Sequence, residues 1–374
     1  MLLPGEKVVL VFQGGGALGA YQAGAYEALS EAGIEPDWVA GISIGSINGA
    51  IIVGNRPENR VKRLREFWEG ISDGLASTPF GNTEFRIALN ELNAARVATF
   101  GVPGFFAPRI PPAAFLPPGT KSALSVYTTD PLRETLLRLV DFDELNSGKV
   151  RYSAGAVEIT SGNFEYFDTH DRHVDVECVR ASAALPPGFP PVEVDGKYYW
   201  DGGVVSNTPM QYTLEMTGRR SDACVFQIDL FSARGRMPKA LPDVVQREKE
   251  IRYSSRTRLN THFFMEMQAM RRAACHLLDK LPPELRDDPD VKLLEAQTCD
   301  AAITIVHLIH RRAAYERYSM DYEFSRLSML EHWQAGLDDV RHTLAHPAWR
   351  ERKKPAMGVA VLDLTLDTEK EMAR

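Results

Sequence analysis

The segment Gly41-Ile42-Ser43-Ile44-Gly45 sets a serine between two glycines, a pattern suited to nucleophilic catalysis. Glycine at both flanks lets the chain turn sharply from strand into helix without a Cβ clash, and leaves the hydroxyl at a helix N-terminus, where free N–H groups favour an anion. Taken alone, the pattern is equally a tight turn in a glycine-rich α/β protein. A nucleophilic serine also needs a base and donors for an oxyanion. Gly14-Gly15-Gly16 offers successive backbone amides that can converge on one point with no side chains in the way. Asp201, in Trp200-Asp201-Gly202-Gly203, offers a carboxylate at the end of a hairpin strand. By itself it is as readily a turn aspartate, and to act as a base its pKa must be raised by burial.

The elements needed to position these residues follow from the patterning. Lys7–Phe12 is a short, continuously apolar strand, followed by the glycine loop and a helix over 20–32 that Gly33 stops. A second strand over 34–40 leads into Ser43, so the first ~55 residues read β-α-β-α and imply a parallel sheet. In such a sheet the glycine loop and the serine turn emerge on the same edge. Helices are expected over 60–71, 84–97, 130–140 with Asp130 as N-cap, 180–184 and 321–344, with a helical, charged stretch over 237–280. Hairpins are expected at 151–168 and 192–200, and buried strands at 223–231 and 302–309. The proline- and phenylalanine-rich stretch 99–119 excludes regular structure, and reads either as a loop tucking its aromatics into the core or as an apolar flap over a site.

With 374 residues, 44% of them hydrophobic, and a net charge of −7, the chain is globular, and no basic field points to nucleic acid. The start of the chain lacks the features of a signal peptide, and no apolar run reaches the ~18 residues that span a bilayer, so a cytoplasmic protein is expected. Cys178, Cys224, Cys275 and Cys299 are scattered, as expected of reduced thiols. Gly14-x-Gly16-x-x-Gly19 also matches a dinucleotide fingerprint. The acidic residue that fold requires is missing from the end of the second strand, where Ser43 stands, so no cofactor is expected. No metal is expected either. His307 and His310 lie an odd number of residues apart on one strand, His342 and His346 lack the glutamate of a zinc motif, and the Asp168–Asp175 cluster reads as a solvated loop.

Three blocks, Gln13-Gly14-Gly15-Gly16-Ala17-Leu18-Gly19, Gly41-Ile42-Ser43-Ile44-Gly45 and Asp201-Gly202-Gly203, occur in the order in which patatin-like phospholipases carry their signatures. Pro186-Pro187-Gly188-Phe189-Pro190-Pro191 and Ser206-Asn207-Thr208-Pro209 also resemble bacterial members of that family. The resemblance covers about residues 7–230, and the remainder resembles a helical region found on some bacterial members. It implies a three-layer α/β hydrolase with a mostly parallel sheet, divided into a core over 1–235 and a mainly helical extension over 236–374 with late strands. It further implies a Ser43–Asp201 dyad that cleaves lipid esters through an acyl-enzyme, with Gly14, Gly15 and Gly16 holding the oxyanion and Gly41 and Gly45 shaping the serine turn. Many members carry a basic residue where this chain has Leu18, so help from that charge to a phosphate is absent. A short-chain, hydroxyacyl or thioester substrate is the alternative, as is a non-catalytic interaction protein. The expected partner is a lipid or acyl ester, with room left for peripheral contact with the inner membrane face and for a homodimer. A Ser-His-Asp triad is the mechanistic rival, disfavoured by the early glycine loop and by a serine turn after only the second strand.

Overall fold

A computed structural model describes residues 2–72, 83–216, 221–254, 257–313 and 315–365. Residues 255 and 256 of the expected 237–280 helical stretch, and 366–374 of the expected C-terminal extension, lie outside these. Among the described residues nine strands form one sheet: β1 (Lys7–Phe12), β2 (Trp38–Ile42), β3 (Arg151–Glu158), β4 (Phe164–Asp168), β5 (Val192–Val194), β6 (Lys197–Asp201), β7 (Ala223–Asp229), β8 (Ile303–Ile309) and β9 (Val359–Leu362). The order is β9-β8-β7-β1-β2-β3-β6-β5, with β4 also pairing with β3. From β9 to β3 every ladder is parallel, and β4, β5 and β6 add antiparallel pairs at one side.

Because side chains alternate along a strand, a strand covered on both faces feeds two cores. In β1, Val8, Leu10 and Phe12 join the larger core, while Val9 and Val11 join a second one with Met210, Leu214 and Phe264 from helices on the opposite face. The result is the three-layer α/β architecture implied by the motifs.

The larger core holds α1 (Ala20–Glu31), α2 (Ile44–Val53) and the long helix Arg326–Ala345. α1 and the long helix cross with their backbones almost in contact. A Cβ on Gly24 would lie 1.8 Å from the Trp333 carbonyl oxygen, and one on Gly336 would lie 2.0 Å from that of Tyr21. Polar groups flank the crossing: Tyr21 donates to Asp339 Oδ2 at 2.7 Å and Trp333 Nε1 donates to Glu27 Oε2 at 2.5 Å. The long helix is therefore an internal element. The sheet likewise runs across the expected division at residue 235, since β8 pairs with β7 over its whole length and β9 adds outside it.

Several boundaries differ from expectation. β2 begins at Trp38 rather than residue 34, after Pro36, which has no N–H to give a ladder. The helix expected at 180–184 spans Val176–Ser182, because Asp175 caps it by accepting from the amides of Glu177 and Cys178 at 3.0 Å. Thr129, not Asp130, holds the cap position of the Asp130–Leu139 helix. The long helix starts at Arg326, not 321, with Ser325 as its cap. β9 had no counterpart among the expected elements.

Candidate active site

Ser43 follows β2 and begins α2 in a left-handed conformation, φ 56° and ψ −125°, one of two such non-glycine residues among those described. A strained backbone of this kind persists only when its surroundings over-determine it. A Cβ on Gly41 would lie 2.3 Å from the Gly45 backbone, and one on Gly45 would lie 2.6 Å from the Phe12 carbonyl oxygen, so the turn closes only with glycine at both positions. The Ser43 amide donates to the carbonyl and hydroxyl oxygens of Ser182, at 3.1 and 3.2 Å, and the Ser43 carbonyl accepts from Ser46 Oγ at 2.7 Å. The hydroxyl is left as the polar group facing the site.

The strand pairing brings Asp201 to this turn. β3 pairs with β2 as far as Gly155, opposite Ile42, and then with β6 from Ala156, opposite Asp201. Since β4 occupies the other edge of β3, β6 takes the place that β2 vacates, and Asp201 stands just past the point where β2 becomes the Ser43 turn. Asp201 is 1% exposed; its Oδ1 accepts from the Gly203 amide at 2.7 Å, and its buried Oδ2 has no hydrogen-bond partner among the described residues. Burial pushes its pKa up to about 7, opposed by the nearby Ser43 hydroxyl and the Gly203 amide.

The glycine loop lies beside Ser43, a Cβ on Gly14 falling 3.1 Å from the Ser43 Cβ. The Gly14 amide donates to the Asn207 carbonyl at 3.1 Å, so of the three expected oxyanion donors this one is already engaged. Among the described residues, the amides of Gly15 and Gly16 make no such bond. Gly16 has φ +55°, and a Cβ there would meet the Asp321 carbonyl oxygen at 2.1 Å; that carbonyl accepts the next amide, Ala17, at 2.8 Å. A fully buried polar chain supports the loop from behind. Trp68 donates to Asn48, Asn48 to Gln22, and Gln22 to the Gln13 carbonyl, while the Gln13 side chain bonds Thr208 and the amides of Leu230 and Phe231. Asn207 ties the loop to later segments, its Nδ2 donating to the carbonyls of Gly14 and Tyr253.

Ser43, Asp201, Gly14, Gly15 and Gly16 all line one cavity of about 330 Å³. Its wall is apolar, with Phe105, Phe106, Tyr127, Phe189, Phe231 and Phe324 prominent, and no Lys or Arg is among the described residues that line it. In the 99–119 stretch the aromatics divide. Phe105 and Phe106 are buried and face the cavity, whereas Ile110 and Phe115 are exposed. Leu18 is fully buried in the core, so the loop carries no charge at that position.

Residues 10–214 match the family model described as Patatin-like phospholipase, and 251–356 match a second one described as Patatin phospholipase. The chain belongs to the patatin-like phospholipase family. Among curated patatin-like relatives, Lysophospholipase NTE1 of Candida glabrata is 27% identical over 250 residues, covering 65% of this chain and 12% of that protein. Patatin-like phospholipase domain-containing protein 6 of Homo sapiens is 42% identical over 67 residues, 18% of this chain and 5% of that protein. This chain thus spans a small part of the length of these relatives. The solved structure of VipD from Legionella pneumophila aligns over 99% of this chain and 73% of that one, at 14% identity and a TM-score of 0.41.

Reading the sequence without the fold misses Ser182, Asp321 and Tyr253 as parts of this patatin-like site. Asn207 was visible only within the run Ser206-Asn207-Thr208-Pro209. In the Asp168–Asp175 cluster, His170, Asp171, His173 and Asp175 are exposed, as the solvated-loop reading has it, while Asp168 is buried, ion-paired with Arg151 at 2.8 Å and accepting from Ser153 and Tyr212. Among the described residues no helix is long and apolar enough to cross a membrane.

Proposed function

We propose that this chain is a serine acyl hydrolase that cleaves carboxylic esters of lipids, with Ser43 as nucleophile and Asp201 as general base. The observation that carries the reading is the pairing of Ser43, held in a strained turn, with a buried carboxyl whose pKa lies near neutrality, at one end of an apolar cavity. Asp201 Oδ2 takes the Ser43 proton as Oγ attacks the ester carbonyl. The oxyanion is held by the amides of Gly15 and Gly16, a narrower set than the three glycines expected. Collapse of the tetrahedral intermediate breaks the ester C–O bond, and Asp201 returns its proton to the departing alcohol. A water molecule then attacks the acyl-enzyme, giving its proton to Asp201, and the fatty acid leaves as Ser43 is regenerated.

The aromatic wall supports recognition of an acyl chain, and the lack of lining cations argues against a site built around a phosphate. Relatives named lysophospholipase are consistent with a single-chain lipid ester. The same uncharged lining also admits neutral esters and thioesters. An acyl-length series of p-nitrophenyl esters beside lysophospholipids ranks these substrates. For the chemistry, wild type is expected to hydrolyse the esters and to be labelled by a fluorophosphonate. Ser43→Ala is expected to lose both, and Asp201→Ala to slow labelling by about 10²–10⁴-fold. Labelling at full rate in Asp201→Ala would sink the dyad.

A further inference from the structure

Away from the cavity, three buried side chains from separate segments point their ligating atoms at one another. His310 follows β8, Glu316 lies on the connection beyond it, and His332 is in the long helix. Each is about 5% exposed, and their ligand atoms all lie within 4.8 Å of one another. Both imidazoles address one carboxylate oxygen, Glu316 Oε1, His332 Nε2 at 2.5 Å and His310 Nε2 at 3.6 Å. The other carboxylate oxygen accepts from the Ala313 amide at 2.5 Å, which fixes the carboxylate plane.

A single ion pair leaves this cluster incompletely satisfied. His332 Nδ1 and both ring nitrogens of His310 are buried without a hydrogen bond among the described residues. A buried polar atom without a partner is destabilising, and a neutral imidazole carries both a donor and an acceptor. The residue set is two imidazole nitrogens and one carboxylate oxygen, which suits zinc and similar divalent ions better than calcium or magnesium. Tetrahedral bonds of about 2.0–2.1 Å put neighbouring ligand atoms ~3.3 Å apart. The 3.6 Å pair is already near that spacing, and the 2.5 Å pair must open by less than 1 Å. Glu316 and His332 also line a cavity of about 10 Å³, close to the space one water needs.

We propose that His310, Glu316 and His332 form a site for one divalent transition metal ion of the zinc type. It joins the exit of β8 to the long helix and clamps both ends of the connection between Glu316 and His332. That connection carries Asp321, Tyr322 and Phe324, which line the cavity, and the Asp321 carbonyl caps the glycine loop. The metal is structural, setting the position of the cavity wall from outside it, and its binding is independent of whether Ser43 is a nucleophile.

The test is metal content and not turnover. Chelator-treated wild-type protein is incubated with Zn²⁺, desalted and measured by plasma mass spectrometry, and a parallel sample takes Co²⁺ for visible spectroscopy. One Zn²⁺ per chain is expected, with a tetrahedral Co²⁺ spectrum lacking thiolate charge transfer and a higher unfolding temperature with metal. His310→Gln and His332→Gln are expected to weaken retention by more than the ~10–100-fold typical of losing an outer-shell partner. No Zn²⁺ retained by wild type, retention unchanged in both variants, or a thiolate band with Co²⁺ would each overturn the proposal. The first and third readings need no variant to fold.

Discussion

Asp201 can accept a proton only when ionised, and its pKa of about 7 places that change inside the working range. The value of kcat/KM is therefore expected to rise with pH through about 7 and then level off, and a profile flat from pH 5 to 9 would contradict Asp201 as base. The same shift affects folding. An aspartate in the unfolded chain titrates near ~3.9, so between there and about 7 the folded protein holds a proton that the unfolded chain has lost. Stability from this group is full below ~3.9, falls as pH rises through that interval and stays lower above it. Asp201→Asn, which cannot ionise, is expected to unfold at a higher temperature than wild type by a margin that widens from pH 5 to pH 8.5. A constant margin in thermal melts would refute the buried titration. Ser43 was legible in the sequence as a candidate nucleophile because its neighbours must be glycine, and Asp201 as a candidate base because it ends a hairpin beside two more. The engagement of the Gly14 amide by Asn207 was not, since it depends on a contact between segments 193 residues apart.

At the scale of elements, the crossing of α1 with the long helix is the tightest joint described. Its closest contacts are between a glycine and backbone oxygen at both sites, so no flexible side chain can yield to an added methyl. Gly24→Ala is expected to cost at least the ~1–3 kcal/mol of ordinary overpacking, read by urea denaturation, and a change within about 0.5 kcal/mol would show that the helices sit farther apart. The aromatic wall gives a different outcome. Phe106 packs against Tyr127 and Phe189, with ring centres 4.8 and 5.1 Å away, at the cavity margin. Phe106→Ala should enlarge the cavity and move the preferred p-nitrophenyl ester toward longer or branched chains. An unchanged chain-length profile would remove Phe106 from substrate selection. Patterning located the long helix because its apolar residues recur at the helical period. It misplaced the start, because Phe324 continues that period while lying on the connection that turns back to meet Ala17. His310, Glu316 and His332 were illegible as a group because three non-adjacent segments supply them.

For the whole molecule, the continuity of the sheet beyond residue 235 decides what can stand alone. Cutting there would strip β7 of its neighbour β8 and α1 of the long helix, exposing two apolar surfaces at once. A fragment covering 1–235 is expected to be insoluble or to lack cooperative unfolding, and a sharp two-state melt from it would show that the later strands are dispensable. The expected division reflected a change in composition after residue 236, and a strand of seven residues such as β8 is too short to outweigh the charged helices that precede it. The pairing along β3 has a different consequence. Ser43 and Asp201, the proposed nucleophile and base, are spaced by consecutive residues of β3, Gly155 opposite Ile42 in the ladder with β2 and Ala156 opposite Asp201 in the ladder with β6, so the register of β3 sets their separation and the course of the 97–127 segment does not. Val97, Ala98, Phe105, Phe106 and Tyr127 of the cavity wall belong to that segment. Changes at those wall positions can alter which molecules are admitted while leaving the proposed chemistry in register, whereas Gly45, Asn48 and Trp68 hold the serine turn and the glycine loop and cannot vary with them, so descendants of this chain have a route to new substrates by single steps at the wall.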